Sequence, residues 1–127
     1  MESKGTLLTG RILTAIVGIF MLIDGLGKVI KPEPVVKATL ELGFPESTIL
    51  PLGIVLMVST VLYLIPRTAV LGAILLTGYL GGAVATHVRM NTDYFGMCFA
   101  VVFGVLAWGG LYLRDEKIRD LLPLTKK

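Results

Sequence analysis

Four apolar runs, each about twenty residues long, are separated by short polar breaks along this chain. They cover residues 6–30, 46–64, 68–89 and 94–113. Each is continuously apolar, without the in-out alternation of a barrel strand. At 1.5 Å per residue, each is long enough to cross about 30 Å of hydrocarbon as a helix. Lipid offers the backbone no hydrogen-bond partners, so a spanning segment must satisfy its own amides, and helices do this. The pattern predicts an all-α membrane protein: an antiparallel four-helix transmembrane bundle, taken as one domain over residues 1–127. Pro51 falls in the first turn of the second run, behind Ser47 or Thr48 as cap, where a missing N–H is harmless. The third run opens after the Pro66-Arg67 break. The fourth ends in a charged tail.

The break at residues 31–45 has a pattern of its own. Pro34 can open a short helix, and Gly43 followed by Pro45 can close it. Val35, Val36, Leu40 and Leu42 are interleaved with Lys37, Thr39 and Glu41. This reads as a two-turn amphipathic helix on the membrane surface, covering one end of the bundle. A plain loop is the other reading, since two turns form only with tertiary support.

Composition agrees with the runs. Hydrophobic residues make up 54% of the 127 residues, and the mean hydropathy of +0.82 is far above that of a soluble domain. The net charge of +3 does not describe a nucleic-acid surface, because the basic residues fall in short connections and tails. Lys4, Arg11, Arg67, Arg114, Lys117, Arg119, Lys126 and Lys127 fall on one side of the bundle. Lys28, Lys31, Lys37 and Arg89 fall on the other. The richer side is expected to be cytoplasmic, with both termini inside, in a bacterial inner membrane. The single Cys98 excludes an intrachain disulfide and a cysteine metal cage within one chain. The first run is too long for a signal peptide and lacks a small-x-small site, so it is expected to stay in the mature protein.

Asp24 is the residue that asks for a reason. A carboxylate near hydrocarbon costs about 2.5–3.5 kcal/mol on insertion scales, so it has a partner or a task. Lys28 lies one turn on, on the same helix face. His87, the only histidine, ends the third run on the same side of the membrane. Asp24 and Lys28 either simply pair at a helix end or form a polar site with His87. Arg89 points about 160° away from His87, so one of the two is expected to meet Asp24. Gly78 and Gly82, and Gly96, Ala100 and Gly104, have the spacing of close helix contacts. They predict packing of the third helix on the fourth, or a homodimer face.

The string PRTAVLGAILLTGYLGGAVATHVR at 66–89 resembles the DoxX-like family of small four-helix membrane proteins, as do DGLGKVIKPEPVV from Asp24 and WGGLYLRD from Trp108. The resemblance spans nearly the whole chain. It implies a relation to membrane subunits or partners of quinone-linked redox complexes, and more distantly to assembly factors. Asp24, Lys28, His87 and Arg89 resemble the family's polar positions, with no catalytic role implied. A quinone headgroup needs proton donors or acceptors beside apolar walls. The expected ligand site therefore comprises Asp24, Lys28, His87, Arg89, Tyr79 and Tyr94, with Trp108 as a further wall. One histidine cannot bind haem on both faces, so a redox role calls for a quinone or a partner subunit carrying the electron-transfer centre. Two other classes stand beside it: a non-catalytic binding or assembly factor for membrane helices or lipids, and a small proton-coupled transporter. The position of Asp24 near a helix end disfavours the midplane site of the transporter class.

Overall fold

In a computed structural model of the protein, residues 4–90 and 94–122 are described. Four long helices, α1 (Lys4–Ile30), α3 (Ile49–Leu64), α4 (Ala69–Arg89) and α5 (Tyr94–Arg114), correspond to the four apolar runs. With the 3-10 turns Glu46–Thr48 and Pro66–Thr68 that lead into α3 and α4, all four are long and apolar enough to cross a membrane. Two short helices complete the described chain, α2 (Glu33–Glu41) and α6 (Glu116–Leu121). The helices of the second and third runs each begin as a tight 3-10 turn beside a proline, and the third takes in the Pro66-Arg67 break. The break between the third and fourth runs at residues 91–93 and the basic residues Lys126 and Lys127 lie outside the described residues.

Around the bundle, α1 packs on α3, α3 on α4, α4 on α5, and α5 back on α1. Residue pairings fix the directions. Gly25 meets Met57 and Gly53 while Gly18 meets Leu64, so α1 and α3 are antiparallel. Gly10 meets Gly110 while Phe20 stacks on Phe99 and Phe103, so α1 and α5 are antiparallel. Gly96 meets His87 and Trp108 meets Thr77, which sets α4 against α5.

The helices bury small and polar residues beside a few large apolar ones such as Met21, Leu56 and Leu76, and turn many other large aliphatic residues outward. On α1, Gly10, Thr14, Val17, Gly18, Met21 and Gly25 are buried. Leu8, Ile12, Ile16, Ile19, Ile23 and Ile30, three, four or seven residues apart, form its exposed stripe. That distribution suits lipid, which gives no hydrophobic drive for association and rewards close backbone packing. Adding a Cβ to Gly10 would bring it within 2.8 Å of the Gly110 carbonyl oxygen. A Cβ on Gly72 would run into the Tyr63 backbone where the Pro66 turn folds α4 onto α3.

The helix contacts expected of Gly78, Gly82 and Gly104 are not there. A Cβ at Gly78, Gly81 or Gly82 would meet nothing within 4 Å, and at Gly104 only Leu80 at 3.9 Å. GxxxG spacing specifies a smooth helix face, and a smooth face can border a cavity as well as a neighbour. Here the close seams fall instead on the glycines of α1, seven or eight residues apart and therefore on one face after two turns. Helices α4 and α5 do pack together, through Leu80, Ala100, Phe103 and Ala107.

The charged tail holds α6, which the sequence reading missed. Asp115 caps it by accepting from the Lys117 amide at 2.9 Å. Ile118 is buried in the core, and Arg119 donates to the Tyr112 carbonyl at 2.6 Å.

Candidate functional site

A half-open cavity of about 660 Å³ lies at the end of the bundle where α1 and α4 finish. Its position follows from the glycine seam between α1 and α3. Gly25 and Gly53 let these backbones approach so closely that the Lys28 Cβ lies 2.7 Å from where a Gly53 side chain would begin. The crossing turns Lys28 inward, beside Leu52 and Met21 on the cavity wall. Lys28 donates to Asp24 Oδ1 at 2.8 Å. The lysine side chain is sheltered, with 15% of its surface exposed, and the aspartate is more open at 44%. The Tyr79 hydroxyl from α4 lies close enough to interact with this ion pair.

His87, one helical turn beyond Ala83, lines the same cavity. Its ring lies against the Cα of Gly96 on α5, with Nε2 2.7 Å from where a Gly96 Cβ would stand. Any side chain at Gly96 would displace the imidazole. Gly96 was expected to bring two helices together; the structure uses it to seat a ring between them.

Of the six expected site residues, the structure brings together Asp24, Lys28, Tyr79 and His87. Arg89 and Tyr94 do not line the cavity. Arg89 leaves the His87 face, as the two-residue separation requires, and its guanidinium lies near Gly43. Tyr94 opens α5 with 77% of its surface exposed. Trp108 is also elsewhere: its indole N–H donates to Thr77 Oγ1 at 2.6 Å, along a groove between α4 and α5.

The apolar walls come from residues that the sequence reading did not select. Phe95 and Phe99 line one side and stack at 6.0 Å, and the row continues through Phe103 and Phe20. Phenylalanines four residues apart on α5 carried the signal, since such residues share a helix face. Gly78 and Gly82 form another wall, where their missing side chains leave room.

Helix α2 roofs the cavity with Val35, Ala38, Thr39 and Leu42. It opens at Pro32, Glu33 and Pro34, and it ends before Gly43, whose φ of +90° favours glycine. The expected apolar face needs a correction. Leu40 points outward with 47% exposure, and Thr39 is buried in its place. Thr39 shares the Val35 face and settles its hydroxyl on the Val35 carbonyl at 2.8 Å, which makes a threonine tolerable inside.

A second polar centre, absent from the sequence reading, lies at the opposite end. Tyr63 is fully buried and donates to the Ala107 carbonyl at 2.6 Å, with Thr14 Oγ1 at 3.4 Å. The Arg114 guanidinium lies over the Tyr63 ring, 5.7 Å from its centroid. This cluster ties α1, α3 and α5 together.

The cavity can do one thing by its chemistry. It offers hydrogen-bond donors from Lys28 and Tyr79, a carboxylate acceptor from Asp24, and an imidazole, at one end of an apolar, aromatic-walled chamber. Comparison with known proteins gives a single kind of match. The family model described as the DoxX-like family matches residues 12–110. No curated protein and no solved structure matches the chain.

Proposed function

The chain belongs to the DoxX-like family, and on that premise we propose that this integral membrane protein holds an amphiphile, best a quinone, in the α2-roofed cavity as a membrane partner of a redox complex. The observation that carries this reading is the placement of Asp24, Lys28, Tyr79 and His87 in one apolar chamber of about 660 Å³. That volume falls in the range of small-molecule sites, which are mostly apolar with a few placed polar groups. A quinone supplies two-electron, two-proton chemistry when bound. Tyr79 and Lys28 would donate to its carbonyl oxygens. As two electrons arrive, Asp24 and His87 would relay two protons to those oxygens and give the quinol. Electrons would come from a partner subunit, since the chain's own residues supply no such centre.

In the same reading the chain is one domain in a cytoplasmic membrane, with the cavity on the outer side. The basic residues support that orientation. Arg114 meets Gly10 at one end of the bundle, with Arg67 in the adjoining turn, whereas Lys28, Lys31 and Arg89 cluster at the other.

Gly82→Leu tests the proposal. The open space at Gly82 admits a side chain without a helix clash, and the leucine would fill the cavity. The variant should keep its melting temperature and lose affinity for a decyl-tailed benzoquinone by at least about tenfold, a loss of about 1.4 kcal/mol. Unchanged binding in a folded variant would refute the site.

A further inference from the structure

We infer that Asp24 sets the charge selectivity of the cavity: by neutralising Lys28 it admits uncharged headgroups and turns away anionic amphiphiles. This rests on the reading of the cavity as an amphiphile site, but not on the amphiphile being a quinone. Of the residues that line the chamber, Asp24 and Lys28 are the two that carry a full formal charge at neutral pH, taking His87 as neutral. They cancel. Without Asp24, Lys28 would be a sheltered cation in an apolar, aromatic-walled pocket. Fatty acids fit that description of a partner, with a carboxylate for the ammonium and an acyl chain for the walls.

Two features keep that outcome from the native protein. The Lys28 ammonium already has a carboxylate at 2.8 Å, so an incoming anion would compete with a covalently tethered one. The tethered group acts at a high effective concentration, because Asp24 lies one turn away on the same helix. The aspartate is also the more exposed member of the pair, 44% against 15%. Asp24 lines the chamber with Lys28, so an anionic head there meets a carboxylate and is repelled. A neutral head that both donates and accepts hydrogen bonds meets no such penalty. The pair thus works as a filter for charge, in addition to any contribution to folding.

The test uses full-length protein in phosphatidylcholine nanodiscs, with empty nanodiscs as the blank and two probes that share a tail: dodecanol and dodecanoate. The native protein should bind dodecanol at least tenfold more tightly than dodecanoate. Asp24→Asn should gain at least tenfold in dodecanoate affinity, and the gain should vanish in Asp24→Asn/Lys28→Met. The converse variant, Lys28→Met, leaves the carboxylate unopposed and should gain affinity for dodecylammonium. It serves also if Asp24→Asn fails to fold. Native protein that binds dodecanoate as tightly as dodecanol would overturn the inference, as would an Asp24→Asn protein that folds and keeps the native preference. A decyl-tailed benzoquinone is measured alongside. If it fails to bind while dodecanol binds with the expected preference, the quinone reading falls and the charge filter stands. If the quinone binds and Asp24→Asn leaves the charge preference unchanged, the filter falls and the quinone reading stands. Native protein that binds none of the uncharged probes contradicts both.

Discussion

Single residues decide this structure where helices touch. His87 sits in the seam of α4 and α5 because Gly96 presents no side chain to its ring. Gly96→Ala would place a methyl group within the imidazole, and overpacking of this kind costs about 1–3 kcal/mol unless the ring moves out. The variant should therefore melt at a lower temperature, or keep its stability and bind the quinone more weakly; thermal unfolding and a binding titration distinguish the two. A protein unchanged in both respects would mean that His87 does not need its seat. Asp24, Lys28 and His87 were legible as a group because ionisable residues are rare in apolar runs and helix order brings these three to one level. Tyr63 was not. Its importance comes from the Ala107 carbonyl and Thr14, 44 and 49 residues away, and nothing in its own run marks which turn of α3 faces the centre.

At the scale of elements, the four spans were the most legible part, because twenty apolar residues have few structural options in lipid. Rotation about each helix axis was not legible. In a soluble helix the apolar face shows the inside, but here leucine and isoleucine occur on both faces, buried at Leu56 and Leu76 and outward at Ile12 and Ile16, and glycines line seams and cavities alike. The glycines of α1 and α4 look equivalent in sequence and differ in consequence. Gly10→Leu should abolish the folded bundle, since a side chain there strikes the Gly110 carbonyl and the Arg114 backbone. Gly81→Leu, whose Cβ would meet nothing within 4 Å, should stay within about 0.5 kcal/mol of the parent. Comparing folded yield and melting temperature of the two variants checks the rotation of both helices. Helix α2 shows the same limit: its existence followed from Pro34 and Gly43, but its inward face followed from Thr39, a polar residue that bonds its own helix. Helix α6 is one and a half turns long and depends on burial of Ile118, so local sequence carried too little to announce it.

For the whole molecule, the distribution of lysine and arginine predicts an orientation that can be measured directly. In a Cys98→Ser background, a cysteine at Lys37 should react with a membrane-impermeant maleimide added outside the cell, and one at Lys117 only after the membrane is opened. The reverse pattern would invert the topology and place the cavity inside. On the function proposed above, the α2-roofed chamber holds an amphiphile by its head. A photoreactive azido-quinone with a decyl tail, activated in native membranes and mapped by peptide mass spectrometry, tests it most directly. Adducts are expected on the cavity walls, at Tyr79 and His87 of α4 and Phe95 and Phe99 of α5. An excess of unlabelled quinone should suppress them. Labelling spread along the lipid-facing stripe of Ile12, Ile16 and Ile23, and unaffected by competitor, would contradict it.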